Sequence, residues 1–167
     1  LLSKWYTELE ALRFYQCFEL PVSVIRPSAI YGPRSQYGMA KAILLIGQGI
    51  LPPLVVGNGR NYGALVHVDD IVGAALFLSE TPKSAGQIYH VTDDGLYTAG
   101  EMTRHMAREL KVPFVPFLKL PKGLAWWLIG QTAMRARQMG VRSVVDYEFV
   151  NLVTMNSRLS NQKLKDL

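Results

Sequence analysis

The stretch that decides the fold reads Val24-Ile25-Arg26-Pro27-Ser28-Ala29-Ile30-Tyr31-Gly32-Pro33. It opens with a short β-branched run, which is typical of a strand buried in a sheet. Tyr31-Gly32-Pro33-Arg34 then breaks the strand into a loop. A strand that runs straight into such a loop places backbone groups at the carboxyl end of a sheet, where ligands bind in open α/β folds. The stretch therefore predicts a buried strand that ends at a binding edge.

Helices and strands are predicted to alternate on both sides of this stretch. Residues 1–19 have the pattern of an amphipathic helix, with one apolar stripe formed by Leu2, Trp5, Leu9 and Leu12. The elements predicted after the stretch are a helix from Met39 to Gly47, an extended run at Leu54-Val55-Val56, a turn at Gly57-Asn58-Gly59, a strand from Ala64 to Val68, a helix from about Asp70 to Leu78 with Asp69 as its N-cap, and a strand from Ile88 to Val91.

The rest of the chain is predicted to be mainly helical. A helix is predicted from Thr98 through Leu110, with a capping box completed by Glu101, and a linker marked by Pro113, Pro116 and Pro121 follows it. The next predicted element is a helix from Gly123 to Met139. After it come an apolar run from Val144 to Val153, which fits either a strand or a helix, and a last helix capped by Ser160. Alternating helices and strands indicate an α/β architecture.

Composition indicates a folded chain with a core. Apolar residues make up 49% and charged residues 19% of the 167 positions, which excludes a disordered chain. The single cysteine, Cys17, excludes an internal disulfide framework and indicates a reducing compartment, so a cytoplasmic location is expected. No apolar run reaches the 18 or so residues of a membrane-spanning helix. The chain begins at Leu1 rather than Met, and we interpret it as a fragment.

Charge is unevenly distributed along the chain. Residues 1–100 hold seven basic and eight acidic residues, whereas residues 101–167 hold eleven basic and five acidic ones. Such asymmetry is typical of proteins that bind an anionic ligand, a nucleic acid or a membrane surface. The basic residues are scattered and accompany no nucleic-acid-binding motif, so no nucleic-acid partner is expected.

The run Val66-His67-Val68-Asp69-Asp70 allows two interpretations. A histidine and two carboxylates within five residues suggest a metal or a catalytic triad, but no third ligand lies at a recognisable spacing. A buried strand followed by an aspartate N-cap explains the same residues. We favour the structural interpretation and expect no metal.

Four motifs in order resemble the second half of an extended short-chain dehydrogenase/reductase, of the NAD-dependent epimerase/dehydratase and 3β-hydroxysteroid dehydrogenase type. They are Leu1-Leu2-Ser3-Lys4, the stretch from Arg26 to Pro33, Gly57-Asn58-Gly59-Arg60 and Val66-His67-Val68-Asp69-Asp70. The resemblance covers nearly the whole chain. It implies the C-terminal part of a Rossmann-type doubly wound parallel sheet with a small substrate-binding lobe. Residues 1–95 would be the back half of the dinucleotide-binding domain with interleaved lobe segments, and residues 96–167 mainly the lobe.

Lys4 would be the catalytic lysine of the family's Tyr-x-x-x-Lys motif, whose tyrosine would lie one residue before Leu1. A neighbouring ammonium group lowers a phenol's pKa, and the tyrosine can then act as a general acid or base near neutral pH. The resemblance also gives Lys4 a hydrogen bond to the nicotinamide ribose. The alternative interpretation is a surface lysine paired with Glu8, four residues along the helix.

The resemblance assigns the nicotinamide cofactor, NAD or NADP, and further contacts. Pro27 and Ser28 would bind the cofactor, and the next three residues, Ala29, Ile30 and Tyr31, would bind substrate. The Gly-rich phosphate loop and the catalytic tyrosine belong to the family's other half. We therefore expect the complete enzyme to be an oxidoreductase or epimerase, and this chain alone to be inactive.

Two departures from the family pattern bear on the substrate. Sugar-nucleotide epimerases usually carry asparagine where this chain has Ala29, and arginine where it has Gly63. A small or apolar alcohol or ketone, for example of sterol, terpenoid or phenolic character, therefore becomes the expected substrate. Apolar surface would come from the helix predicted over 123–139, at Trp126-Trp127-Leu128-Ile129.

Two alternatives to this function remain open. One is a nucleotide-sugar epimerase or dehydratase, and the other is a non-catalytic module associated with a membrane or a protein. The second is favoured by aromatic residues followed by Arg135, Arg137 and Arg142, a composition that also suits a helix in a membrane interface. We favour core or pocket packing for these residues over contact with a membrane surface. The resemblance also allows a homodimer.

Overall fold

The computed structural model describes residues 2–35, 38–114, 119–140, 150–151 and 154–167. Its helices are α1 (Leu2–Phe18), α2 (Gly38–Gly47), α3 (Val68–Glu80), α4 (Ala99–Glu109), α5 (Lys122–Gln138) and α6 (Gln162–Lys165), with a 3₁₀ turn at Pro82–Ser84. Its strands are β1 (Val24–Pro27), β2 (Ala29–Tyr31), β3 (Val55–Val56), β4 (Tyr62–Gly63), β5 (Leu65–His67), β6 (Ile88–Val91), β7 (Tyr97–Thr98) and β8 (Lys119–Leu120). This alternation confirms the α/β prediction.

The chain divides into two compact units. The first, here called the sheet unit, comprises Leu1–Pro33, Leu65–Asp94 and Leu159–Leu167. The second, here called the pocket unit, comprises Arg34–Ala64 and Gly95–Arg158.

Parallel strand pairs form the sheet unit. β1 pairs with β6, so that Val24 lies opposite Ile88, and β2 pairs with β5. The buried core consists of Val66, Ala74 and Val91, against which Ile25, Ile71 and Leu164 pack. Residues from β1, β5, β6, α3 and α6 thus share one core. The parallel pairing agrees with the predicted Rossmann-type sheet.

Helix α1 lies where it was expected, but its predicted apolar stripe is not buried. Leu2 is 71% exposed, Trp5 51% and Leu9 42%, and no residue of α1 is buried. The helix contacts the rest of the sheet unit through other groups. Glu8 pairs with Arg26 of β1, and the ring of Tyr15 lies where a side chain on Gly86 would stand. A periodic pattern locates a helix, but the face that packs is decided by the surfaces it meets.

Helix α3 begins earlier than predicted, and Asp69 is not its N-cap. The cap is His67, whose Nδ1 accepts a hydrogen bond from the backbone N–H of Asp69 at 3.3 Å. Because the helix starts at Val68, Asp69 and Asp70 lie in its first turn. Negative charges there interact favourably with the helix dipole. Within the described residues no group of histidines, cysteines and carboxylates could hold a metal ion.

Two local signals elsewhere were predicted correctly, the cap of α4 and the glycine turn at 57–59. Thr98 caps α4, and its capping box with Glu101 is complete. Gly57 and Gly59 adopt φ values of +74° and +70°, as their turn requires. The prediction that Ser160 caps the last helix is wrong, because the N-cap of α6 is Asn161; the Ser160 hydroxyl accepts a hydrogen bond from the N–H of Gln162. The run 144–153 lies outside the described residues except for 150 and 151, which are helical, and Pro116 and Arg142 lie outside them as well.

The pocket unit contains short strand pairs that the sequence did not predict. β3 pairs with β8 in parallel, and β4 pairs with β7 antiparallel. Its core holds the buried side chains of Ala125, Ile129 and Val150, with Val56, Leu120 and Trp126 packed against them.

Replacing Gly86 by alanine is expected to destabilise the protein. Gly86 has φ of +75°, and a Cβ there would lie 2.2 Å from Cε1 of Tyr15. The left-handed conformation alone costs a non-glycine residue about 1–2 kcal/mol. Gly86→Ala should therefore lower the free energy of unfolding, measured in urea, by at least about 1 kcal/mol.

The matched control is Gly73→Ala. Gly73 lies inside α3, and a Cβ added there would have nothing within 4 Å. This substitution should raise stability by about 0.5–1 kcal/mol, because glycine is a poor helix former. Equal effects of the two substitutions would contradict the packing of α1 over Gly86.

Candidate functional site

Lys4 lies in the first turn of α1 and is exposed. Its expected alternative partner, Glu8, is engaged elsewhere. Arg26 donates from Nε to Oε2 of Glu8 at 2.8 Å and from Nη2 to Oε1, forming a bidentate pair. Across the residues that the structure describes, Lys4 has no ion pair. The Lys4 ammonium group is therefore available to another group.

Pro27 and Ser28 lie where β1 ends. Pro27 is the last residue of the strand and is exposed. The backbone N–H of Ser28 donates to the carbonyl of Val91 at 3.0 Å, which continues the pairing of β1 with β6. The Oγ of Ser28 is buried and has no hydrogen-bond partner among the described residues. Such a hydroxyl can both donate and accept a hydrogen bond.

The three residues predicted to bind substrate form β2. Ala29 is half-buried, Ile30 is 44% exposed and Tyr31 is half-buried. The Tyr31 hydroxyl donates to Oδ2 of Asp93 at 3.2 Å, and its ring meets His67 edge-on with centroids 5.2 Å apart. The sequence predicted that the strand breaks at Tyr31, but Tyr31 is the last residue of a separate strand, β2, which pairs with β5. The contacts of Tyr31 depend on two distant segments.

A largely apolar cavity of about 240 Å³ lies inside the pocket unit. Helices α2, α4 and α5 supply most of its side chains, including Ala42, Ile46, Met102, Met106, Leu128 and Ile129. Two threonines also line it, but both hydroxyls are bonded within their own helices. Thr103 donates to the carbonyl of Ala99 at 2.8 Å, and Thr132 donates to that of Ile129 at 2.9 Å. The described lining therefore offers few polar groups to a ligand.

Gly63 borders a side chain of this cavity. A Cβ at residue 63 would lie 2.7 Å from Cε of Met102, which is one of the lining residues. A larger residue at this position would have to displace the Met102 methyl group. The glycine that departs from the sugar-nucleotide pattern thus leaves space for an apolar lining residue.

The apolar run in α5 divides between different environments. Leu128 and Ile129 line the cavity, whereas Trp126 packs against the core of the pocket unit. Trp127 is 60% exposed and is not among the lining residues. Only part of the run therefore supplies the apolar surface expected from the sequence.

A second cleft, of about 550 Å³ and lined mainly by residues with polar side chains, lies in the same unit, and sequence reasoning did not identify it. Here called the basic cleft, it is lined by residues that include Arg60, Lys122 and Arg158. The Arg158 guanidinium lies over the Tyr62 ring, 4.1 Å from its centroid. Only the Gly57-Asn58-Gly59 turn before Arg60 marked the region in advance. The three cations are far apart in the chain, so local patterns could not group them.

A family model described as the NAD dependent epimerase/dehydratase family matches residues 1–92. UDP-glucose 4-epimerase of Vibrio cholerae is 30% identical over 113 residues, which cover 67% of this chain and 34% of that protein. A 3-diazoavenalumate denitrifying reductase of a Streptomyces species is 33% identical over 130 residues, covering 74% of this chain and 40% of that protein. The chain thus spans about a third to two fifths of these relatives.

Solved structures share the fold. The crystal structure of gox2253 is 24% identical, with a TM-score of 0.68, and the match covers 99% of this chain and 48% of that one. A dTDP-glucose 4,6-dehydratase from Bacillus anthracis in complex with NAD is also 24% identical, with a TM-score of 0.55 and coverage of 68% and 37% respectively. In the described residues of this chain, no helix is both long and apolar enough to cross a membrane.

The pair between Glu8 and Arg26 predicts a pH-dependent contribution to stability. Hydrogen bonds from Arg26 hold the pKa of the Glu8 carboxyl below its ordinary value of 4.5. A carboxyl whose pKa is lowered by folding stabilises the protein above its unfolded pKa, and this stabilisation is lost as pH falls through the folded pKa. Glu8→Gln should therefore lower the urea midpoint at pH 7, and the two proteins should converge in acid below the ordinary pKa.

Glu10→Gln serves as the control. Glu10 faces Arg13 at 3.6 Å with both side chains more than half exposed, so the pair contributes little. A Glu8→Gln difference that stays constant from pH 7 into acid would show that ionisation of Glu8 plays no part.

Proposed function

The chain belongs to the NAD-dependent epimerase/dehydratase family, and we propose that it is part of an oxidoreductase acting on an apolar alcohol or ketone. The sheet unit would contact the nicotinamide cofactor, and the pocket unit would be the lobe that receives the substrate. The apolar cavity in the pocket unit is the observation that supports this substrate class. Cys17 is the single cysteine of the chain, and the reducing cytoplasm is the proposed location.

The residues of the sheet unit fit the nicotinamide end of NAD or NADP. Ser28 offers a buried hydroxyl without a described partner, at the carboxyl end of a parallel strand. Pro27 precedes it, and Lys4 offers an ammonium group with no ion pair among the described residues. When bound, nicotinamide would accept or return the hydride. This chain has no Gly-x-Gly-x-x-Gly phosphate loop, so we propose that it binds no dinucleotide by itself.

Lys4 would assist the transfer of the proton that accompanies hydride transfer. Its ammonium group would favour the phenolate of a tyrosine four residues earlier on the same helix face. That tyrosine would accept or donate the proton of the substrate oxygen. Lys4 would also hydrogen-bond the nicotinamide ribose, which fixes the ring relative to the substrate.

The lining of the cavity favours an apolar substrate over a sugar. A polar ligand that enters a site without hydrogen-bonding partners loses its hydration and recovers little of that free energy. The threonine hydroxyls in this cavity are already bonded to Ala99 and Ile129. Ala29 has no side-chain hydrogen-bonding group to hold a sugar. An apolar body gains free energy from the same cavity by leaving water.

Nucleotide-sugar epimerisation or dehydration is the second candidate function. It is favoured by the similarity to UDP-glucose 4-epimerase and by the cationic residues of the basic cleft, which could face a diphosphate. Gly63 opposes it, because it stands where sugar-nucleotide epimerases usually carry an arginine, and it lies next to Met102.

Replacing Lys4 tests the catalytic proposal. In the complete enzyme that contains this chain, Lys4→Met should lower turnover by roughly 10²–10⁴, the range typical of an acid/base contribution. It should also move the acid limb of the alcohol-oxidation profile to higher pH, because the tyrosine loses a charge that lowers its pKa. Lys83→Met is the control, since Lys83 is an exposed lysine of the same unit. Unchanged kinetics in Lys4→Met would support the surface-lysine interpretation, whereas absence of turnover in the unmodified protein would favour the non-catalytic module.

Comparing substrates tests the polarity of the site. The ratio kcat/KM should be higher for hydroxysteroid, terpenoid or phenolic alcohols than for UDP- and dTDP-sugars, because the cavity offers few polar partners. Turnover of a nucleotide sugar at least about ten times more efficiently than every apolar candidate would defeat the substrate class, and would favour the second candidate function.

A further inference from the structure

We propose that the apolar substrate carries a phosphate or sulfate at one end, and that the basic cleft of the pocket unit binds this oxyanion. The inference rests on the proposed function and extends it, because it assigns a second part of the same substrate to a second part of the same lobe. The cavity would take the apolar body, and Arg60, Lys122 and Arg158 would take the charged end.

The basic cleft has the charge of an anion site. Its described lining includes two arginines and one lysine but no aspartate or glutamate. Within the described part of the chain, none of the three cations has a carboxylate partner. Unpaired cations that share one concave surface raise the local concentration of anions. The cleft also contains Asn58, whose side-chain amide can supply a further hydrogen bond.

Hydrogen bonds hold the two arginine-bearing segments together. The backbone N–H of Tyr62 donates to Oδ1 of Asn156 at 2.9 Å, and the N–H of Ser157 donates to the carbonyl of Tyr62 at 2.8 Å. The segment after the glycine turn, with Arg60, is thereby joined to the segment with Arg158. Two arginines almost a hundred positions apart in sequence thus line one cleft.

The Tyr62 ring positions Arg158, whose guanidinium has no ion pair among the described residues. The Tyr62 ring covers one face of its guanidinium, with 4.1 Å between the carbon Cζ and the ring centroid. Stacking of this kind orients the planar group through its face. The N–H donors lie in the plane of the group and can form paired hydrogen bonds to a phosphate or sulfate.

Three chain segments run from the cavity to the basic cleft. Val56 lines both. In α5, Lys122 lines the cleft and Ala125, one turn later, lines the cavity. Thr154 lines the cleft and donates to the carbonyl of Val150, a cavity residue, at 2.7 Å. The polar and apolar sites are therefore neighbouring parts of one surface, and a single ligand with an apolar body and a charged end fits both.

The first turn of α5 adds to the positive potential. Lys122 is its first residue, and the N-cap Pro121 forms no side-chain capping bond. The N–H groups of a first helical turn lack partners within the helix, and the helix dipole places partial positive charge there. This contribution supplements the three side chains, which carry the proposal.

Binding of a matched pair of small ligands provides the test. Octyl phosphate, octyl sulfate and 1-octanol would be titrated into the complete enzyme by calorimetry. Octyl phosphate and octyl sulfate should bind at least about tenfold more tightly than 1-octanol, since charged hydrogen bonds are stronger than neutral ones. The preference should weaken as salt concentration rises. Equal affinity for all three ligands would overturn the proposal.

Variants locate the effect in the basic cleft. Arg60→Gln and Arg158→Gln should each weaken octyl phosphate binding roughly tenfold and leave 1-octanol binding unchanged. Arg158→Lys keeps the positive charge and should retain much of the preference for octyl phosphate over 1-octanol. This variant therefore tests the role of the charge even if Arg158→Gln has a folding defect. Arg104→Gln is the matched control, because Arg104 is an exposed arginine of the same unit near another ring, that of Phe114, and does not line the cleft.

The outcomes separate this inference from the proposed function. Binding of 1-octanol with no gain from a phosphate or sulfate would overturn the inference and leave the apolar substrate class standing. Tight binding of UDP-glucose, lost in the Arg60→Gln, Arg158→Gln double variant, together with no binding of any octyl ligand, would overturn both. A phosphate preference that survives in the double variant would also overturn the assignment to this cleft.

Discussion

Parallel pairing of β1 with β6 is the constraint on which the sheet unit depends. The pairing continues beyond both strand ends, through Val24 N–H to the Gln87 carbonyl at 2.9 Å and Ser28 N–H to the Val91 carbonyl at 3.0 Å. It brings residues more than sixty positions apart into register and fixes where the strand ends. The buried hydroxyl of Ser28 lies at that end. A displaced register would move this hydroxyl and the side chains that follow it in β2.

Helix α1 depends on the same strand pair, since β1 carries its charged anchor. Arg26 holds Glu8 through two hydrogen bonds, and Gly86, which precedes β6, leaves room for Tyr15. These contacts attach the helix that bears Lys4 to the unit that bears Ser28. They also involve Glu8 in a pair other than the one expected, which leaves Lys4 without an ion pair among the described residues.

The apolar cavity and the basic cleft lie side by side in the pocket unit because glycines allow chain segments to pack closely there. Gly59 has a positive φ and accepts a hydrogen bond from Gly100 at 3.0 Å, so the glycine turn and the start of α4 lie in contact. Gly63 leaves space for Met102 in the same way. Because the residues at these positions are small, α4 can line the apolar cavity and pack beside the glycine turn at 57–59. Arg60 follows this turn directly. In our proposal, this arrangement lets one lobe bind an apolar body and an oxyanion without burying an unpaired charge.

The sequence determined those features that depend on neighbours within a few residues. The strand from Ile88 to Val91, the capping box of Thr98 with Glu101 and the glycine turn at 57–59 follow from short-range spacing, and the structure confirms each. The order of motifs identified the family, and its model matches residues 1–92.

Only the tertiary structure decided the rest. His67, rather than Asp69, is the N-cap of α3 because the pairing of β5 with β2 sets where this helix begins. The apolar stripe of α1 is exposed because the helix makes its contacts through Glu8 and Tyr15. The short strands β4, β7 and β8 exist through partners distant in the chain. The basic cleft joins Arg60, Lys122 and Arg158 for the same reason. Periodicity records which side chains share a face, whereas long-range packing decides what that face meets.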